Sequence, residues 1–217
     1  MSVQDFMTKN LVVVQPQTKI FDAVDLMKKN DIHRLPVVEN DRLIGLITEG
    51  TIQEALPSKA TTLSVYEANY LLNKTTVADV MVKNVQTVLP EALLEEGISL
   101  MRKNNVGVLP VVDSQENLVG IITNNDIFDA FLKITGYKDG GTRVQIQIVE
   151  DHKGILADLT KLLADNDFSI LTVVVNRKEL ETIVELQIQT RETEKVQQLL
   201  KDAGYQVLEA VLTNEED

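Results

Sequence analysis

The stretch Leu109-Pro110-Val111-Val112 decides the fold, because the same four residues occur earlier in the chain as Leu35-Pro36-Val37-Val38. The residues around the two copies also match in the same order. The matching residues are 74 positions apart up to the two copies, as 35 is from 109, and 75 positions apart beyond them, as 45 is from 120. The further matches are residues 3–10 with 77–84, Pro16 with Pro90, Leu26-Met27 with Leu100-Met101, Gly45-Leu46-Ile47-Thr48 with Gly120-Ile121-Ile122-Thr123, and Ile52 with Ile127. Matches of this density predict a tandem repeat. The alternative is a pair of unrelated units that share common residues.

Each repeat is predicted to form a short strand, a helix, two further strands and a second helix. In the first repeat, residues 12–14 are a brief apolar strand, and Thr18 is the expected N-cap of an amphipathic helix. Two apolar segments around the polar turn at 39–41 indicate a hairpin, and a short helix is expected to begin near Thr51. Repeats of about 55 residues are too small for independent stability, so the two copies are expected to pack on each other.

Five regions follow from this pattern. The first repeat covers residues 1–57, the second covers 77–135, and the amphipathic segment 58–76 between them is expected to be a linking helix. Three glycines predict a linker at 136–141. The remaining residues, 142–217, contain alternating strands and two helical segments in the order βαββαβ, which is typical of a ferredoxin-like domain. The predicted fold class is therefore mixed α/β (α+β).

The composition argues against a protein that binds nucleic acid or membranes. The chain of 217 residues carries 33 acidic and 21 basic side chains, a formal net charge of −12, whereas such binding needs clustered Lys and Arg. Because cysteine is absent, disulfides, thiolate zinc sites and cysteine nucleophiles are excluded, and no metal site is predicted. Neither a secretory leader nor an apolar segment of membrane-spanning length is visible, so we expect a cytoplasmic protein.

The ordered motifs of the repeat carry a family resemblance. The pattern Met-Thr-x-Asn near the start, then Leu-Pro-Val-Val, then Gly-h-h-Thr-x-x-Asp (h is apolar) is similar to the cystathionine-β-synthase (CBS) domain. Two tandem copies in residues 1–135 resemble the paired CBS module that binds adenine nucleotides in regulatory proteins. The resemblance implies two βαββα repeats packed as a pair. It also implies a ligand such as AMP, ADP or ATP, with no catalytic cofactor.

Thr123, Asn125 and Asp126 follow the last strand of the second repeat and form the first candidate site. An acid in the first turn of a helix can accept hydrogen bonds from a ribose diol, and the free N–H groups there suit phosphate oxygens. The alternative is a capping box, in which Thr123 and Asp126 cap the helix reciprocally. The CBS resemblance implies that these two residues hold the ribose and α-phosphate. Thr51 replaces the acid in the first repeat, so we expect one strong nucleotide site per chain.

His33 and Arg34, directly before the first Leu-Pro-Val-Val, form the second candidate site. Arginine binds phosphate oxygens bidentately, and the CBS resemblance implies that this pair reaches phosphates. The alternative is a surface pair that serves only solubility. The second repeat has no basic residue at this place, so we expect one composite pocket, with ribose held by the second repeat and phosphates by the first. By resemblance, Thr87, Val108 and Pro110 belong to the strands that enclose the adenine; the alternative is plain core strand.

The first strand-to-helix turn of the C-terminal region carries a second resemblance. Asp151-His152-Lys153-Gly154-Ile155-Leu156 is similar to the Asp-x-x-Gly-h-Leu signature of ACT domains, small regulatory domains that commonly bind amino acids, usually across a dimer interface. A glycine lets a ligand approach the N–H groups at the helix start, so Asp151, Gly154 and Ile155 are candidate amino-acid-binding residues. The alternative is a glycine needed only for turn geometry.

The sequence favours a regulator over an enzyme. It contains two histidines, no cysteine, no G-x-S-x-G elbow and no P-loop. A CBS pair followed by an ACT-like domain resembles the bacterial acetoin-utilisation B-type (AcuB-like) regulatory proteins. We therefore predict a homodimeric adenine-nucleotide sensor that regulates an unidentified protein. Its ACT-like domain would mediate dimerisation or a second small-molecule signal. The alternatives are an amino-acid sensor whose CBS pair only dimerises the chain, and an enzyme with weak activity on the bound nucleotide.

Overall fold

Two compact units, Met1–Ile127 and Phe128–Asp217, make up the chain in the computed structural model. The structure describes residues 1–55, 74–177 and 181–215. The linking helix predicted at 58–76 therefore lies almost wholly outside the described residues.

Both repeats contain the predicted helix, hairpin and second helix. The first repeat consists of a short 3-10 helix (Val3–Asp5), α1 (Ile20–Asn30), β1 (Arg34–Glu39), β2 (Arg42–Thr48) and α2 (Glu49–Ala55). The second consists of α3 (Val77–Val80), α4 (Leu94–Asn104), β3 (Val108–Val112), β4 (Leu118–Thr123) and α5 (Asn124–Ile134). Each hairpin is antiparallel and has a register shift within its Val-Val pair. The matched irregularity shows that the repeat extends to details of strand pairing.

The predicted first strand of each repeat is reduced to a single parallel bridge. In the first repeat, Val14 donates its N–H to the carbonyl of Pro36 at 3.0 Å and accepts the N–H of Val38 at 2.9 Å. The next residue that would donate on the same side of a parallel ladder is Pro16, which has no N–H, so the pairing ends there. Pro90 occupies the matching position in the second repeat.

The starts of two helices also differ from the prediction. Thr18 does not cap α1, because its hydroxyl accepts the N–H of Gln15 at 3.1 Å and Lys19 is the N-cap residue. Helix α2 begins at Glu49 rather than near Thr51. N-capping therefore depends on local hydrogen bonds that the residue types alone leave open.

The N-terminal segment of each repeat pairs with the hairpin of the other repeat. Thr8 and Ile121 exchange two backbone hydrogen bonds of 2.9 and 3.0 Å, and Leu46 and Val82 exchange two of 2.9 Å. Leu46 and Ile121 are buried together with Val108 in a hydrophobic cluster that both repeats share. The repeats therefore fold as one interlocked unit, as expected for copies too small to be stable alone.

Gly45 in β2 is required for this exchange. A Cβ atom at this position would lie 2.7 Å from the sulfur of Met81 and 2.9 Å from the carbonyl oxygen of Val82, too close for either atom. Gly120, its counterpart in β4, is in the same situation beneath the sulfur of Met7. The two glycines therefore leave room for the crossing segments.

The second unit is a four-stranded antiparallel sheet with strand order β6-β7-β5-β8. Its elements are β5 (Asp139–Ile148), α6 (Ile155–Ala164), β6 (Ile170–Arg177), β7 (Thr182–Ile188), α7 (Thr193–Asp202) and β8 (Gln206–Glu215). Leu159 and Leu163 of α6 and Leu200 of α7 are fully buried against Val144 and Leu186 of the sheet. The βαββαβ order agrees with the ferredoxin-like prediction.

Strand β5 begins at Asp139, so half of the predicted linker at 136–141 belongs to a strand. Asp139 pairs with Glu215 and Gly141 with Thr213 of β8. Gly141 has a φ of +97°, and a Cβ there would collide with the carbonyl oxygen of Ile188. Glycine is therefore needed at this position because two backbone segments approach closely, and not because the connection is flexible.

Candidate functional site

Thr123 and Asp126 form a reciprocal cap at the start of α5. The N–H and the hydroxyl of Thr123 both donate to Oδ2 of Asp126 at 2.7 Å. In return, the N–H of Asp126 donates to the Thr123 hydroxyl at 3.4 Å. The geometry is that of a capping box. The second carboxylate oxygen, Oδ1, makes no hydrogen bond to any residue that the structure describes.

Thr48 and Thr51 form the corresponding cap in the first repeat. The N–H of Thr48 donates to the Thr51 hydroxyl at 3.0 Å, and the N–H of Thr51 donates to the Thr48 hydroxyl at 3.1 Å. The Thr51 hydroxyl in turn donates to the carbonyl of Thr48 at 2.9 Å. A threonine therefore replaces the acid in capping, which explains how the first repeat folds without an aspartate here.

Arg34 joins the two repeats. Its Nη1 donates to the carbonyl of Gly107, just before β3, at 2.9 Å, and its side chain is half-buried. The N–H of Asn124 donates to the same carbonyl at 3.2 Å. Arginine has five N–H donors, so one bond to a carbonyl leaves most of them for a ligand.

His33 lies beside Glu49 at the start of α2. Its Nδ1 is 3.1 Å from Oε2 of Glu49, and both side chains are at least half exposed. The N–H of Glu49 also donates to the carbonyl of His33 at 3.0 Å. Two contacts therefore hold this acid and this imidazole together.

A cavity of about 470 Å³ opens beside these residues. Both repeats contribute to its wall: the first supplies the starts of β1 and α2, and the second supplies the segment before α4 and the start of β3. The lining residues are His33, Arg34, Leu46, Thr48, Glu49, Gly50, Val82, Asn84, Val85, Gln86, Val106, Gly107 and Val108. The cavity has apolar walls with several polar groups, and its volume is within the range of small-molecule sites.

The cavity brings together three of the predicted nucleotide-binding residues, His33, Arg34 and Val108. Thr123, Asn125 and Asp126 are not in its lining, because they form the matching turn of the second repeat. The predicted composite of Arg34 with Asp126 therefore does not coincide with this cavity. Thr87 is half-buried outside the lining, whereas its neighbour Gln86 contributes to it. Pro110 is buried within β3, and its carbonyl accepts the N–H of Val88 at 3.1 Å.

Sequence reasoning missed the turn Thr48-Glu49-Gly50, together with Asn84 and Gln86. The signal that could have found this turn was the repeat itself, since Thr48 matches Thr123 and Glu49 matches Asn124. Because Thr51 has no carboxylate, the sequence predicts no strong nucleotide site at this turn. The structure shows a cavity beside this turn, although Thr51 stands where the second repeat has Asp126.

The second unit has a cavity of about 400 Å³ of its own, lined by Gln147, Ile148, Val149, Glu150, Ile155, Gly204, Tyr205 and Gln206. Ile155 follows Gly154, which has a φ of +100° and is the N-cap residue of α6. Asp151 is outside the lining, and its Oδ2 lies 3.6 Å from Nε of Arg177. Burial, with a smaller contribution from the Asp158 carboxylate, raises the pKa of the Tyr205 phenol above its ordinary value.

Two family models match the chain at the places that the repeat and the sheet define. The CBS-domain model matches residues 3–58 and again 77–133. The chain belongs to the CBS-domain family. The ACT-domain model matches residues 142–204, so the CBS pair is followed by an ACT domain. Within the described residues, no helix is both long and apolar enough to span a membrane.

Several solved CBS-domain structures are similar to this chain. A candidate acetoin utilization protein (AcuB) from Vibrio cholerae is 29% identical with a TM-score of 0.54, over 64% of this chain and 96% of that chain. CBSX2, a CBS-pair protein of Arabidopsis thaliana solved in complex with AMP, is 31% identical with a TM-score of 0.52, over 61% and 97%. The CBS pair of protein MJ0100, in complex with 5′-methylthioadenosine and S-adenosyl-L-methionine, is 29% identical with a TM-score of 0.51, over 60% and 95%.

Proposed function

We propose that this CBS-domain protein is a non-catalytic cytoplasmic regulator that binds an adenosyl ligand between its two repeats. The observation that carries the proposal is the cavity beside Arg34, which combines apolar walls, a half-buried guanidinium and a volume of about 470 Å³. The AMP complex of CBSX2 and the S-adenosylmethionine complex of MJ0100 support this class of ligand.

The proposed binding mode follows from the chemistry of the lining. Leu46, Val85 and Val108 offer apolar surfaces to a planar base. Arg34 and His33 are the two basic side chains of the lining, and we assign them to the group attached at the 5′ carbon of the ribose. The regulatory role requires only that the ligand bind one arrangement of the protein more tightly than another.

The turn of the second repeat is proposed as a second place for the ribose. Asp126 keeps Oδ1 free of contacts with the described residues, and Thr123 and Asn125 flank it. Thr87 and Pro110 belong to this part of the proposal as neighbours of the base. Binding there would leave the cap intact, because the cap uses only the other oxygen of Asp126.

The ACT domain is proposed to mediate dimerisation or to receive a second signal. The alternative function, amino-acid sensing, is favoured by the cavity beside Ile155, which lies close to Gly154 and Asp151 in sequence. In that case the CBS pair would serve as the dimerisation scaffold. The regulated protein would then respond to an amino acid rather than to an adenosyl ligand.

Calorimetry of the full chain with adenosine, AMP, ADP, ATP and the twenty amino acids tests these proposals. We expect at least one adenosyl compound to bind with a dissociation constant in the range of about 1 μM to 1 mM, since the net charge of −12 opposes anions. Heat with an amino acid and none with any adenosyl compound would favour the alternative. Conversion of ATP during long incubation would contradict the non-catalytic assignment.

A further inference from the structure

The cavity between the repeats is lined by one acid of the first repeat, and the matching position of the second repeat has no acid. Glu49 lines the cavity, and its carboxylate is 3.1 Å from the imidazole of His33. The matching residues in the second repeat are Asn124 and Gly107, an amide and a residue without a side chain. There the amide packs on the glycine, since a Cβ at Gly107 would lie 3.0 Å from Nδ2 of Asn124. The two turns have the same backbone hydrogen bond, but the acid is the second residue of one turn (Glu49) and the fourth residue of the other (Asp126).

The charges around the cavity nearly cancel. Among its lining residues, Arg34 carries a formal positive charge, Glu49 carries a negative charge, and His33 contacts Glu49. Arg34 also donates one of its N–H groups to the carbonyl of Gly107 at 2.9 Å. A triphosphate placed here would bring three or more negative charges close to a carboxylate, within a chain whose net charge is already −12.

A ligand with a neutral or positive group at the same place meets no such repulsion. An ammonium or sulfonium group would be attracted by Glu49 and repelled by Arg34, whereas a triphosphate would be attracted by Arg34 and repelled by Glu49, so the effect of Glu49 is to favour the cation. A thioether would leave the contact between Glu49 and His33 undisturbed. The hydroxyl of Thr48 and the side chains of Asn84 and Gln86 add neutral polar groups to the lining. They can bind a ribose or an amino-acid moiety without requiring charge.

We infer that Glu49 sets the ligand specificity of this cavity: it selects adenosyl compounds whose 5′ substituent is an uncharged thioether or a cationic sulfonium over nucleoside polyphosphates. The inference rests on the proposed function, because it presupposes that an adenosyl ligand occupies the cavity. It assigns to Glu49 a role in choosing the ligand rather than in maintaining the fold.

Calorimetry on the full chain tests the inference with 5′-methylthioadenosine, S-adenosylmethionine, AMP and ATP. The wild type should bind the first two more tightly than ATP. In Glu49→Gln, we expect the affinity for ATP to rise about tenfold and that for S-adenosylmethionine to fall about tenfold, with methylthioadenosine changed less than about twofold. Because Glu49 is half exposed, both shifts should shrink at high salt.

Glu54→Gln is the matched control, since it removes the same charge from the same helix at an exposed position outside the lining. It should change no affinity by more than about twofold. Glu49→Asn, which installs the residue of the second repeat, should reproduce the effects of Glu49→Gln. A thermal melt of each variant checks that the fold is kept.

Three results would overturn the inference. The first is a wild type that binds ATP more tightly than methylthioadenosine and S-adenosylmethionine, which would leave the proposed function standing. The second is a Glu49→Gln variant that shifts ATP and S-adenosylmethionine in the same direction. The third is the absence of binding by every adenosyl compound, which would remove the proposed function as well.

Discussion

Nη1 of Arg34 donates a 2.9 Å hydrogen bond to the carbonyl oxygen of Gly107, and so ties the first strand of one repeat to the residue that precedes β3 of the other. The bond lies in the lining of the cavity, and the carbonyl also receives the N–H of Asn124 at 3.2 Å. A ligand in the cavity would therefore lie beside a hydrogen bond that joins the two repeats.

Replacing Arg34 by alanine should affect both stability and binding. The free energy of unfolding should fall by about 1 kcal/mol, because one hydrogen bond between the repeats is lost. The affinity for AMP should fall about tenfold and that for adenosine much less, because only AMP has a phosphate to meet the guanidinium. Urea unfolding and calorimetry measure the two effects.

Arg42→Ala, at an exposed position of β2 outside the lining, is the control for Arg34→Ala. Equal losses for adenosine and AMP would contradict this role of Arg34.

The substitution Asp126→Thr separates capping from binding in the second repeat. Threonine caps the matching turn of the first repeat through Thr51, so the variant should keep its fold and most of its stability. Asp126→Ala, in contrast, should be less stable by about 1 kcal/mol, because the cap is lost. If the proposed ribose contact exists, both variants should lose at least about tenfold in adenosyl affinity. Wild-type affinity in a folded Asp126→Thr variant would show that binding does not use this turn.

A methyl group added at Gly45 should weaken the contact between the repeats. The new Cβ would lie 2.7 Å from the sulfur of Met81 and 2.9 Å from the carbonyl oxygen of Val82, so Gly45→Ala should cost about 1–3 kcal/mol. Gly97→Ala in α4 is the contrasting variant, since its Cβ would make an ordinary 3.5 Å contact with Val3. That variant should gain about 0.5–1 kcal/mol from helix propensity. Chemical denaturation distinguishes the two, and equal stabilities would contradict the steric argument.

Because of the cap of α3, part of the stability of the fold should depend on pH. The backbone N–H of Thr76 donates to Asp79 at 2.8 Å, and this bond, with a further one from the Thr76 hydroxyl, lowers the pKa of the Asp79 carboxyl below its ordinary value of 3.8. Because the folded state has the lower pKa, the contribution is present above the unfolded pKa and is lost as pH falls through the folded pKa. Asp79→Asn should therefore be less stable than wild type near neutral pH.

The difference in stability between Asp79→Asn and wild type should begin to narrow as the pH falls below about 4, and it should be smallest once the pH is below the lowered pKa of the folded wild-type carboxyl. Urea unfolding over a series of pH values measures it. Asp25→Asn, at an exposed position of α1, is the control that removes an acid without removing this cap. A difference that stays constant down to the lowest pH would mean that the charge of Asp79 is not what stabilises the turn.

Most of the fold follows from short-range patterns in the sequence. The two Leu-Pro-Val-Val segments with their following strands predict the hairpins, because two apolar segments around a polar turn are encoded within about fifteen residues. The βαββαβ order of the second unit follows in the same way. Val14 shows the limit: its segment is apolar enough for a strand, but Pro16 ends the ladder after one residue.

The site was only partly predictable. His33, Arg34 and Val108 were identified from residue type and resemblance, and they line the cavity. Glu49, Asn84 and Gln86 were not identified, because acids and amides are common on the surface; only the repeat, which matches Glu49 with Asn124, points to one of them. Their importance depends on which segments of the two repeats come together.

The amino-acid sequence by itself determined the tandem repeat, the hairpins and the family, since each depends on residues that are close together in the chain or recur at a fixed interval. Only the tertiary structure decided that the N-terminal segments cross between repeats, that Arg34 bonds to Gly107, and that Thr48 and Glu49 line a cavity together with Gln86 and Val108 of the second repeat. These contacts join residues far apart in sequence, as from Arg34 to Gly107. They depend on how the side chains and backbones of the two repeats pack together, which no local pattern encodes.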